Sequence, residues 1–234
     1  APLAYLKAFD WVPGARLRWG GQALARFSTA DRSHLYNVGA WTQVRRVAAY
    51  VGGSFKVFNT LRGGRGIGEQ LGTGYREGAW DGSVRVHLAR QWFLKLATNS
   101  TRQIDVPRTD KYGFDEFRIF KKQYRDLAYA KLTGRHTKKL DALSVILSYQ
   151  SHRELRHRYR LGKDRIQIER DDLHVFGLVV TGRTDLGRWS NLVWGADLYA
   201  DWLGSWGRHE AISTGVVTPM GSPGLRGRFV DDSK

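Results

Sequence analysis

The chain has 234 residues, 38 Lys+Arg against 22 Asp+Glu for a formal net charge of +16, and no cysteine. This excludes a disulfide scaffold, a thiolate metal site and a cysteine nucleophile. With 41% hydrophobic and 12% aromatic residues it is not a disordered basic tail. It carries no run of about 18 apolar residues that would make a transmembrane helix.

Residues 1–14 read as a segment leading into the main domain. Ala1–Asp10 lacks the basic start and apolar core of a signal peptide, and Ala1–Phe9 could form a short helix. From there the period is two. Leu17, Trp19, Ala23, Ala25 and Phe27 alternate with Arg16, Arg18, Gln22 and Arg26. Ala49, Val51, Phe55 and Val57 alternate with Tyr50, Ser54 and Lys56. Trp80, Val84, Val86 and Leu88 alternate with Asp81, Ser83, Arg85 and His87, and Trp92, Leu94 and Leu96 with Lys95 and Asn99. Lys121–Gly134 fits helix and strand about equally well. Leu143, Val145, Leu147 and Tyr149 face one way, as do Leu192, Trp194, Ala196, Leu198, Ala200 and Trp202. Such alternation sends the two sets to opposite faces of a sheet.

The expected fold is all-β: an antiparallel up-and-down meander of about nine strands, each roughly 9–14 residues long. A soluble strand is usually about 5–6 residues, whereas a strand tilted across a bilayer needs about 9–11. Short turns are expected at Val44–Val47, Ala89–Gln91, Gly134–Leu140 and Asp185–Ser190. Long polar loops are expected at Asn59–Gly78, Ile104–Gln123, Ser151–Asp172 and Gly204–Lys234. The two kinds alternate, as in a barrel with short turns at one end and long loops at the other. Ala30–Ser33 is a short connection on the long-loop side.

Trp41, Trp80, Trp92, Tyr149, Trp194 and Trp202 fall near strand ends, where amphipathic rings would sit at the two interfaces of a membrane. Arg18, Gln22, Arg26, Lys56, Arg85, Lys95, Asp197 and Asp201 make the other face polar, which suits a wet lumen or bulk water.

Motifs for catalysis are thin. Arg62–Gly68 (RGGRGIG) matches neither phosphate-binding glycine pattern and reads as a surface loop. His152, Glu154 and His157 lack a metal-ligand spacing. Asp171 and Asp172 point apart if they lie on a strand, so they cannot flank one bond. No catalytic residue, metal site or cofactor is expected. Loop arginines Arg62, Arg65, Arg108, Arg158 and Arg160 are the candidates for contact with an anionic ligand.

Several stretches together resemble the barrel of TonB-dependent outer-membrane receptors. They are FSTADRS (Phe27–Ser33), GGSFKVFNTLRGGRG (Gly52–Gly66), TGY (Thr73–Tyr75), DVPRTD (Asp105–Asp110), QYRDLAY (Gln123–Tyr129), LSYQ (Leu147–Gln150), IQIERDDLHVFG (Ile166–Gly177) and GRFVDDS (Gly227–Ser233). The resemblance implies that Lys121–Gly134 is a strand and that residues 15–234 are part of a barrel of about 22 strands holding a plug. It further implies uptake of a scarce nutrient (a ferric siderophore, haem or cobalamin) in the outer membrane, driven by the TonB complex. The chain departs from the pattern in lacking the plug, with its TonB-contacting segment, and a terminal aromatic strand, so it reads as a fragment. The alternative is a soluble basic β-protein that binds nucleic acid; the long continuous apolar face argues against it.

Overall fold

In a computed structural model of the chain, residues 16–109, 116–137, 140–187 and 190–220 are described. The segment 1–14, the C-terminal stretch from 221 and the motif Gly227–Ser233 lie outside them.

The described residues form twelve strands: β1 (Arg18–Ser28), β2 (Ser33–Val44), β3 (Val47–Phe58), β4 (Leu61–Arg62), β5 (Glu69–Gln70), β6 (Tyr75–Ala89), β7 (Trp92–Arg108), β8 (Glu116–Thr137), β9 (Leu140–Arg160), β10 (Ile166–Asp185), β11 (Asn191–Glu210) and β12 (Val217–Pro219). Ten belong to one antiparallel sheet in the order β1-β2-β3-β6-β7-β8-β9-β10-β11-β12, while β4 and β5 form a separate small hairpin. Each long strand therefore pairs with its neighbour in sequence, as an up-and-down meander requires. Lys121–Gly134 is strand, within β8.

No second layer covers this sheet among the described residues. Ala48 and Ile168 are the buried apolar side chains. Meanwhile Trp19 is 77% exposed, Leu198 67% and Leu147 57%. A water-soluble sandwich would hide such residues between two sheets. Here they stand on a single wall, the arrangement of a barrel whose apolar side meets hydrocarbon.

The strands depart from expectation in length. β7 to β11 have 17, 22, 21, 20 and 20 residues. The stretch Ser151–Asp172, expected as a long loop, is mostly strand: β9 continues to Arg160 and β10 starts at Ile166. Of Ile104–Gln123, Ile104–Arg108 belongs to β7 and Glu116–Gln123 to β8, and Gly204–Glu210 belongs to β11. The physical reason is cross-strand charge pairing. Arg156 bonds Glu169, its register partner on β10, and Arg153 reaches Asp126 of β8 at 3.3 Å. Such pairs extend a ladder where apolar alternation has stopped. Asn59–Gly74 is a true excursion that contains β4 and β5, while Tyr75–Gly78, expected in the same loop, opens β6.

Candidate functional site

Residues directly opposite one another on successive strands share a face and form rungs across the sheet. On the apolar face, three adjacent rungs over β6–β11 carry no charge. They are Val86, Leu94, Leu132, Val145, Val180 and Ala196; Val84, Leu96, Ala130, Leu147, Leu178 and Leu198; and Gly82, Thr98, Ala128, Tyr149, Phe176 and Ala200.

Tryptophans bracket this band. The rung on the turn side is Trp92, Gly134, Leu143, Gly182 and Trp194. The rung on the loop side is Trp80, Ser100, Asp126, Ser151, His174 and Trp202. Tyr149 sits one rung inside and its hydroxyl is 2.8 Å from His174 Nδ1. At Gly134 a Cβ would fall 2.9 Å from the Trp92 ring, and at Gly182 it would meet the Trp194 ring. Glycine at both positions lets the indole lie across its neighbour's backbone. Trp41 departs from this set. It pairs with Gly20 on the polar face, its ring covers that glycine, and Arg18 stands 5.8 Å from it.

The polar face carries a rung of different character. Lys56, Glu77, Gln103, Gln123, Glu154, Asp171 and Ser205 lie opposite one another across seven strands. Lys56 Nζ donates to Glu77 Oε1 at 2.5 Å, and Gln103 Nε2 donates to Glu77 Oε2 at 2.7 Å. Gln123 Nε2 donates to Glu154 Oε1 at 3.1 Å, and Ser205 Oγ to Asp171 Oδ1 at 2.6 Å. Asp172 points the other way, to Arg170 Nε at 2.7 Å. The adjacent aspartates are thus on opposite sides of the wall. His152 Nε2 is 3.7 Å from Glu154, while His157 lies on the other face.

Toward the loop end, the same polar face becomes basic. Arg108, Arg118 and Arg158 are register partners on β7, β8 and β9. Their rung continues through Gln167 to His209. Arg160 follows on β9, opposite Glu116. Two of the sequence-derived arginines, Arg108 and Arg158, therefore come together, with Arg160 one step away. Arg62 and Arg65 do not join them. Arg62 bonds Glu69 within the β4–β5 hairpin, at 2.9 and 3.1 Å, and Arg65 is at the exposed tip of that hairpin. Within RGGRGIG the amides of Gly63 and Ile67 donate to Gly68 O and Gly64 O, while the Arg62 amide donates to Ala30 O.

Sequence reasoning missed Arg118. Its signal is positional: Arg108 and Arg118 are each five residues from position 113 in the sequence, and a hairpin centred there pairs them. His209, well beyond the apolar band, is held below the usual histidine range by burial and then by the Arg165 charge. His157, equally far from the band, is lowered by burial and then by Lys121 and Arg208.

Among the described residues, no group of three or more His, Cys, Asp or Glu could hold a metal ion. Arginines in a row offer planar N–H forks suited to carboxylate, phosphate or the anionic shell of a metal chelate.

No protein-family model and no curated protein sequence matches this chain. Solved structures do. One is the copper transporter OprC, an outer-membrane barrel, with a TM-score of 0.69 and 12% sequence identity over 87% of this chain and 32% of that one. The chain thus spans about a third of the length of the structure it matches and shares with it the fold of an antiparallel β-barrel wall.

Proposed function

We propose that residues 15–234 form part of the wall of a TonB-dependent receptor in the outer membrane of a Gram-negative-type cell. One observation carries the reading: an uncharged band, bounded on both sides by tryptophan rungs, backs onto a face of charged and amide side chains. A wall between hydrocarbon and water needs this asymmetry. In this reading the polar face lines a lumen, and the arginines Arg108, Arg158 and Arg160, with Arg118 of β8 between Arg108 and Arg158, receive an anionic ligand at its mouth. Arg62 and Arg65 are carried on the β4–β5 hairpin beside that mouth. The ligand is a scarce nutrient of the ferric-siderophore, haem or cobalamin class, and energy comes from the TonB complex through a plug domain outside these 234 residues. The fold match to a copper transporter supports transport of a metal-containing cargo. The arginine rung favours an anionic complex over a bare cation.

Two measurements test this. Single cysteines placed along Ser144–Gln150, in chain reconstituted into liposomes, should react with a water-soluble maleimide at even positions and resist it at odd ones. Uniform reactivity would refute the membrane reading. Ferric citrate, haemin and cyanocobalamin should then be titrated against tryptophan fluorescence. Binding of at least one, weakened about tenfold or more by Arg108→Ala with Arg158→Ala, is the expected result. A properly inserted chain that binds none of them overturns the ligand assignment.

A further inference from the structure

Above the loop-side tryptophan rung, the apolar face turns basic within one step. The next rung is Gly78, Arg102, Tyr124, Arg153, Asp172 and Gly204. Arg102 Nη2 lies 2.7 Å from Asp126 Oδ1, and Arg153 Nη2 lies 3.3 Å from Asp126 Oδ2. One carboxylate therefore holds two guanidinium groups, one on each oxygen. Both lie against the Tyr124 ring, at 4.8 and 5.8 Å from its centre. The Nε–H of Arg153 is buried with no hydrogen-bond partner. Arg76, Lys122 and Arg170 occupy the following rung of the same face. Five cations thus stand over two carboxylates, Asp126 and Asp172.

Beneath this cluster lies an open trough of about 840 Å³, lined mainly by apolar-face residues such as Val84, Leu96, Leu147, Phe176 and Leu198 and in part by intervening positions such as Ser83 and Ser148. From Thr98, at its upper edge, to Arg102 is four residues, about 13 Å of strand. An anionic head held over an apolar groove at that separation is the outline of a phosphorylated lipid.

We infer that Arg102 and Arg153 form a binding site for the phosphate of a membrane lipid whose acyl chain lies in the trough below. The inference rests on the membrane reading of this face. Asp126 sets the two guanidinium planes, Tyr124 keeps them apart, and the solvent-facing part of each guanidinium, on side chains 35% exposed for Arg102 and 42% for Arg153, is offered to a phosphate oxygen. Arginine suits this role because its fork matches a phosphate edge.

The test uses the full chain in neutral detergent and lipids brominated on the acyl chain, which quench nearby tryptophans. Trp80 and Trp202 flank the site. Brominated phosphatidic acid should quench at concentrations at least tenfold below those needed for brominated phosphatidylcholine. Arg102→Ala with Arg153→Ala should erase that preference, and Arg102→Lys with Arg153→Lys should restore part of it while guarding against misfolding of the first variant. Lys95→Ala with Lys131→Ala, on the opposite face, should change nothing. Equal quenching by both lipids in the native chain would overturn the site and leave the membrane reading standing. No quenching by either lipid would overturn the membrane reading itself. Displacement of phosphatidic acid by millimolar inorganic phosphate alone would show an anion site with no part for the acyl chain, which also refutes the inference.

Discussion

Trp194 and Trp202 stand on the same face of β11, eight residues apart, and each ends a rung that closes one side of the uncharged band. Eight residues of strand span about 26 Å. A tilted membrane strand presents an apolar band about 25 Å tall. At a tilt of about 40° that length rises about 20 Å, so the two indoles fall close to the edges of such a band, and β7 to β10 repeat the eight-residue spacing in register.

The two faces should respond oppositely to charge. Leu147→Arg places a guanidinium in the centre of the band and should destabilise the inserted sheet by about 2–4 kcal/mol. Gln150→Arg, on the other face of the same strand, should cost less than about 1 kcal/mol. Urea titration of liposome-reconstituted chain, followed by tryptophan fluorescence, reads both. Similar losses would contradict the facing.

The turn-side tryptophans need their glycines. Gly134→Val or Gly182→Val drives a side chain into the Trp92 or Trp194 ring and should cost about 1–3 kcal/mol. Gly78→Ala meets no atom within 4 Å and serves as the silent control. Melting of each variant in detergent, measured by circular dichroism, should separate the two groups by several degrees.

Lys56 supports a half-buried carboxylate. Its removal in Lys56→Met leaves Glu77 with the Gln103 amide and should cost about 2 kcal/mol. Adding Glu77→Gln should recover part of that loss, because no charge is then stranded. Chemical denaturation of the single and double variants would show the recovery, and strict additivity would exclude coupling.

Acid should loosen the loop end while tightening anion binding. His157 and His209 both titrate below the ordinary histidine range in the folded chain. The unfolded chain therefore takes up their protons first as pH falls below about 6.5. Stability is lost through that window, and the loss is complete once pH passes the folded values. His209 shares a rung with Arg158, so its protonation adds positive charge to the arginine row. Ferric citrate binding should strengthen as the pH falls below about 6.5, and His209→Gln should flatten that rise.

Much of this fold is legible in the sequence, and the reason is the band. Alternation such as Leu192 to Trp202 survives only if one face is uniformly apolar, so strands and short turns announce themselves. The signal fades where both faces are polar. Ser151–Asp172 reads as a loop because Arg153, Arg156, Glu169 and Asp172 give no hydrophobic period, although charge pairing continues the ladder. Trp41 shows the complementary difficulty. Its place near a strand end is visible, but its face depends on the register that sets it opposite Gly20. The arginine row was half legible: Arg108 and Arg158 stand out by charge, whereas their meeting through Arg118 is a product of pairing between three strands.

In the proposed receptor, the extension of β8, β9 and β10 past the tryptophans has a consequence for how cargo would be met. From Ser151 to Arg160 the ladder continues for some 30 Å of strand beyond the Trp80–Trp202 rung. An incoming solute would first encounter a stiff, hydrogen-bonded collar, with its guanidinium groups fixed to the masonry of the sheet. Discrimination at such an entrance is set by spacing between strands, and it would be retuned by shifting register more readily than by swapping a floppy tip.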